Sequence, residues 1–196
     1  MNKSDLLQGL KDHLKVSKIN HKVQVMKCDT LKEVHAYCLQ YTSSQQFGPL
    51  IERFIREKYG YTKNKAKDCN GDCSKDGKNT EVKASIGDKP THRKFNFVQI
   101  RPSHKCESYI LTAYHVSSEN VEEFGELYIF RVSKTDIKNI IVSYGGYAHG
   151  TNKEHGAITI DSLNDETSTK LYALRPTMND ECWKALMVFR ISESDL

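Results

Sequence analysis

Asp76-Gly77, set between two short strand-forming stretches, commits the middle of this chain to a tight hairpin. Both residue types reach positive φ, which a two-residue turn matching the twist of paired strands demands. The expected strands are residues 72–74 and 80–85, joined through Lys75-Asp76-Gly77-Lys78. In such a hairpin Glu81 and Lys83, two positions apart, project from one face of the second strand. Asp72, on the first strand, approaches them across the ladder.

The rest of the chain reads as helices and strands around this hairpin. Ser4-Asp5 marks a helix start, followed by a stripe of Leu6, Leu7, Leu10 and Leu14. Val23 and Val25 alternate with polar neighbours over residues 22–26 and predict a short edge strand. Leu31, Val34, Cys38 and Leu39 recur at helical spacing. Pro49 suits a first helical turn, and Leu50, Ile51, Phe54 and Ile55 continue that helix until Tyr59-Gly60. Residues 61–70 are polar and Lys-rich, the composition of a loop. Residues 95–101 fit a strand and a helical turn before Pro102 equally well. Residues 109–116 and 126–132 read as strands. Ser133 caps a helix carrying Ile137, Ile140 and Ile141, with Asp136 completing a capping-box pattern. Residues 144–156 form a Gly/His-rich loop, and residues 180–189 have the spacing of a final helix through Trp183, Leu186 and Met187. Trp183, Phe189 and the tyrosines of residues 109–114 are expected in the core. This order of elements makes a mixed α/β or α+β sheet domain.

At 196 residues the chain fits a single domain, and 38% apolar residues suffice for a packed core. No stretch nears the roughly 18 apolar residues of a membrane span. Residues 1–18 carry charges every few positions and no apolar signal core, so the expected location is the cytoplasm, with the six cysteines reduced. Net charge is +4, but it is unevenly spread: residues 53–105 hold 14 Lys/Arg against 6 Asp/Glu. A basic middle in an otherwise slightly acidic chain suits a polyanionic partner, and a solvated loop face is the other reading of the same charges.

The acids within the basic segment tilt the reading toward the first. Carboxylates and an ammonium crowded on one sheet face repel unless a cation joins them. Mg²⁺ takes carboxylate oxygens, keeps several waters and accepts phosphate as a further ligand. Lys83 is then placed to orient or deprotonate a metal-bound water and to steady charge developing at phosphorus.

Asp72 followed nine positions later by Glu81-Val82-Lys83 resembles the PD-(D/E)xK signature of most type II restriction endonucleases. Gly71-Asp72 stands where that family often has Pro-Asp. Glu52 looks like the additional acid that many members supply from the preceding helix. Lys94-Phe95-Asn96-Phe97-Val98-Gln99-Ile100-Arg101-Pro102, followed by the apolar strand from Tyr109, is similar to the helix–strand continuation of several such nucleases. The likeness spans about residues 48–132.

It implies a restriction endonuclease-like α/β fold: a mixed β-sheet core with a catalytic hairpin flanked by helices. Residues 1–47 would be an N-terminal helical region, 48–132 the catalytic core, and 133–196 a C-terminal helix and recognition-loop region. The implied activity is Mg²⁺-dependent hydrolysis of phosphodiesters in double-stranded DNA at a specific sequence. Asp72 and Glu81 would hold the metal, Lys83 would activate water, and Glu52 would be an auxiliary ligand or base. Asp68 is the second choice for the first acid. Lys89, His92, Arg93, Lys94, Gln99 and Arg101 are candidate DNA contacts. So are Tyr147, His149, Asn152 and Lys153 in the Gly/His-rich loop, which otherwise is an ordinary connector. The class also implies a homodimer on a palindromic site and a companion DNA methyltransferase acting on the same site. A repair or junction-resolving nuclease of the same superfamily, or a non-catalytic DNA-binding protein, are the alternatives.

Two metal readings compete. An EF-hand frame from Asp72 puts Lys83 at the twelfth position, where Glu is needed, and a frame from Asp68 puts Cys73 where Gly is needed. A structural zinc would use Cys69 and Cys73 with His92, His104 or Cys106, but no second matching pair exists.

Overall fold

A computed structural model describes residues 20–65, 69–87, 93–123 and 125–196. The leucine stripe after Ser4 and the candidates Asp68, Lys89 and His92 lie outside the described residues. Helix α1 (His21–Val25) occupies the stretch expected as an edge strand. The Asn20 carbonyl accepts from the amides of Val23 and Gln24 and starts a turn. Val25 alone turns inward while Val23 stays half exposed. Two valines are too few to tell a period of 2 from one helical turn.

Helix α2 (Leu31–Tyr41) is capped by Thr30, whose side chain accepts from the Glu33 amide. It buries Leu31, Val34, His35 and Cys38, and Leu39 falls outside this stripe and is exposed. Helix α3 (Ser44–Lys58) begins ahead of the Pro49 start expected for it. The Ser43 amide donates to the Gln46 side chain, and this capping box outranks proline as the start signal. Pro49 therefore sits inside the helix on its exposed side, where the carbonyl left without a donor faces solvent.

The strands in chain order are β1 (Thr62–Lys63), β2 (Cys73–Lys75), β3 (Lys78–Ile86), β4 (Phe97–Ile100), β5 (Ser108–His115), β6 (Glu126–Ser133), β7 (Gly146–Tyr147), β8 (Tyr172–Leu174) and β9 (Arg190–Ile191). The main sheet runs β1-β2-β3-β5-β6-β9. β3 and β5 pair in parallel, with Glu81 opposite Tyr109, and the other pairs are antiparallel. The β2–β3 turn is as expected: Asp76 and Gly77 have φ of 52° and 75°.

Residues 95–101 resolve as strand, not helix. β4 belongs to a second sheet, β4-β8-β7, so the helix–strand continuation expected here is absent among the described residues. A bulge between Phe97 and Ile100 buries both and leaves Val98 and Gln99 outside, which is why the alternation was illegible.

The remaining helices are α4 (Lys134–Tyr144), α5 (Asn152–His155), α6 (Ile160–Asn164) and α7 (Glu181–Met187). Ser133 caps α4 as expected, accepting from the Asp136 amide. The stretch 144–156 is more ordered than a loop: it carries β7 and α5, the latter closed by a Thr151/Glu154 capping box.

Alternation along β5 builds three layers. Ile110 joins Val82 and Ile129 against α2 and α3, including Leu31, Ile51 and Phe54. Tyr109, Leu111 and Phe130 face α4, α7 and the small sheet, including Ile141, Trp183 and Phe97. The chain is thus a mixed α/β structure with its sheet covered on both faces. Among the described residues no helix is long and apolar enough to cross a membrane.

Candidate functional site

The hairpin opens where β2 begins. Gly71 has φ +75°, and a Cβ there would lie 2.8 Å from the Thr80 carbonyl oxygen, so only glycine fits. Proline, locked near φ −65°, is excluded at this position, which accounts for Gly-Asp in place of Pro-Asp. The Asp72 amide donates to Thr80 (3.0 Å). Its carboxylate Oδ2 accepts from the Val82 amide at 2.8 Å.

Glu81 and Lys83 lie on the face of β3 opposite Val82, which packs into the α2–α3 core. Lys83 Nζ donates to Glu81 Oε1 at 2.5 Å, and the Glu81 side chain is only 4% exposed. His104 Nδ1 stands 3.7 Å from the other carboxylate oxygen, Oε2, and has no hydrogen-bond partner among the described residues. Glu52 comes from α3 and is bridged by Arg56 at 2.9 Å.

Burial, and then the Glu81 charge, push the Asp72 carboxyl above its ordinary range, against the pull of Lys83, the Val82 amide and His104. Burial, and then Asp72, raise Glu52 as well, opposed by Arg56 and Lys63. The three acids therefore feel one another's charge. Glu52, Asp72 and Lys83 line a cavity of about 650 Å³ together with Gln45, Asn96 and Gln99. A larger cavity, about 840 Å³, lies at the far edge around Lys32 and Arg190, away from all the candidate residues.

No group of three or more His, Cys, Asp or Glu side chains among the described residues converges on a metal position. Mg²⁺ does not need one, since one or two carboxylates with water and phosphate suffice. Asp72 Oδ1 accepts no hydrogen bond among the described residues, and its charge is incompletely neutralised. This hard-oxygen pair, Asp72 with Glu81, fits Mg²⁺. Cys73 is instead a core residue: burial, then the nearby carboxylates, push its thiol up to about 12, and it donates to the Thr80 carbonyl. Cys69 is exposed.

The candidate DNA contacts divide. Gln99 is exposed on the wall of the Asp72 cavity. Arg101 lines a second cavity, about 510 Å³, with His104, Lys105 and Lys170. Arg93 is engaged by Glu119 at 2.7 Å, and Lys94 is exposed where it bridges Thr177. His149, Asn152 and Lys153 are exposed. Tyr147 is not available for contact: it is 5% exposed, donates to the His155 and Gly156 carbonyls, and stacks on Tyr172. Its ring belongs to the same core cluster as Phe97, Tyr172 and Leu174 of the small sheet.

Sequence reasoning weighed His104 only as a zinc ligand and passed over Lys105. Both precede β5, and nothing local signals that β5 will pair in parallel beside Glu81. The chain matches no family model, and no curated protein matches it.

Proposed function

We propose that this chain is a Mg²⁺-dependent endonuclease of double-stranded DNA with a restriction endonuclease-like fold, cutting at a specific sequence. The observation that carries the reading is the Asp72 carboxylate on the Val82 amide, beside the Glu81–Lys83 pair, where the hairpin opens. The order of elements supports it: a helix bearing Glu52, the hairpin, then a parallel and an antiparallel strand.

Asp72 and Glu81 would hold the ion, with Glu52 as an auxiliary acid. Bound Mg²⁺ supplies charge to the phosphate and makes a coordinated water more acidic. Lys83, once released from Glu81 Oε1, orients the attacking water and stabilises charge at phosphorus. Val82 keeps Asp72 from rotating away. Arg101, Lys105 and Lys170 give the neighbouring cavity the charge to hold backbone phosphate. Such an enzyme reads a palindrome as a homodimer and is paired with a DNA methyltransferase protecting the same site.

Incubation of plasmid and linear DNA with Mg²⁺ or with EDTA tests this, alongside Asp72→Ala and Lys83→Ala. Discrete fragments with Mg²⁺ only, lost in both variants, are expected. Diffuse or structure-dependent cutting assigns the chain to repair or junction resolution. A second reading has its own observation: Glu81 is already satisfied by Lys83, and no third protein ligand converges among the described residues. Binding without cutting under every metal condition makes the chain a non-catalytic DNA-binding protein.

A further inference from the structure

The two cavities beside the Glu81–Lys83 pair differ in chemistry. The one reached through His104 carries Arg101, Lys105 and Lys170, suited to phosphate. The one reached through Asp72 is lined by the carboxylates of Asp72 and Glu52, by Lys83 as the one cation among its lining residues, and along its other wall by the neutral amides of Gln45, Asn96 and Gln99. Amides pair a donor with an acceptor and match a base edge better than they match an anion.

Gln99 is also held in an uncommon conformation. Its φ is +58°, a left-handed value that a non-glycine side chain adopts at a cost. The bulge in β4 is what turns it there, putting Val98 and Gln99 outward in succession. The Asn96 amide fastens the start of this segment to β3 by donating to the Ser85 hydroxyl at 2.8 Å. Ser85 is two residues beyond Lys83, so the bulge is registered against the hairpin strand. Neither the Asn96 nor the Gln99 carboxamide has a hydrogen bond among the described residues, and both side chains are exposed at the cavity wall.

Resting on the nuclease reading above, we infer that Gln99, supported by Asn96, is a specificity-determining residue that reads a base edge presenting a donor and an acceptor side by side. In the major groove that edge is adenine, through N6–H and N7.

The test is the base preference of the enzyme on a DNA pool randomised around its cleavage site, read by sequencing the products. Gln99→Gly removes the carboxamide and accepts φ +58° without strain, so the bulge survives; Gln99→Asn keeps a shorter amide at a tolerated φ. The expected result is that Gln99→Gly loses discrimination at one A·T position by roughly 5- to 150-fold, leaving the other positions sharp, and that Gln99→Asn retains part of it. An unchanged preference at every position in Gln99→Gly overturns the inference. So does a wild-type enzyme that cuts with no base preference, which leaves Mg²⁺-dependent cleavage standing and moves the chain to the repair or junction-resolving reading. Absence of cutting and binding by the wild type refutes both.

Discussion

The carboxylate of Asp72 takes the backbone N–H of Val82 at 2.8 Å, an amide that the departing β2 strand no longer satisfies. One side chain thus closes the open end of a hairpin with Oδ2 and keeps Oδ1 for something else. The same bond sets the acid's orientation relative to the next two residues of β3, Glu81 behind it and Lys83 ahead.

Asp72→Asn separates these duties. Asparagine still accepts from Val82 but removes a carboxylate that burial and Glu81 disfavour. Mg²⁺-dependent cleavage should fall by about two orders of magnitude or more. Stability at pH 7 should rise. Because the folded pKa lies above the unfolded one, the wild-type group's contribution is fully present below its ordinary value of about 3.9 and is lost as pH rises through the raised folded value. The gain from the substitution should therefore shrink toward zero in urea unfolding near pH 3.

Lys83→Ala leaves Glu81 buried without its ammonium partner. Without metal the variant should lose about 2–3 kcal/mol. Added Mg²⁺ should raise its Tm more than that of the wild type, because no ammonium competes for Oε1. Cleavage should be abolished. A smaller Mg²⁺ shift in the variant would contradict the assignment of Glu81 as a ligand.

Two glycines with the same φ of +75° should respond differently to alanine. Gly77 at the turn tip has nothing within 4 Å of the added Cβ, whereas Gly71 meets Thr80 backbone at 2.8 Å. Gly77→Ala should cost about 1 kcal/mol from φ alone, and Gly71→Ala should exceed it by about 1–2 kcal/mol. Chemical unfolding measures both.

His35 is fully buried, with Nδ1 on the Leu31 carbonyl and Nε2 on the Thr112 hydroxyl. Burial lowers its pKa to about 4, opposed by the Leu31 bond. With a depressed folded pKa, its stability contribution is present above the unfolded value of about 6.5 and is lost as pH falls through about 4. Stability should drop by about 3 kcal/mol across that window, and His35→Gln should flatten that slope.

Tyr147→Phe should lower stability by about 1 kcal/mol, since the hydroxyl serves two carbonyls, and leave DNA affinity unchanged. Lys153→Gln, on exposed α5, should reduce the salt dependence of DNA binding by about one counterion. Titrations at several salt concentrations distinguish the two.

Much of this molecule was readable without coordinates wherever the cause is local. Asp76-Gly77 needs only positive φ, Ser133 needs only an orphan amide to cap, and Glu81 and Lys83 share a face because strand residues alternate. The misreadings share the opposite cause. At α1 two valines left the period undetermined, and at β4 the bulge broke the alternation. At α3 a capping box overrode proline.

What residue order alone determined is the hairpin and the three ionisable groups it carries. What only the tertiary structure decided is their company. Glu52 on α3 and His104 before β5 reach Glu81 and Asp72 because Ile51, Phe54 and Ile110 bury against one sheet face and β5 slides in parallel beside β3. Tyr147 was drawn from surface to core by the same competition for apolar contact. Such choices depend on which faces are left to cover once distant segments meet, and no spacing along the chain encodes that.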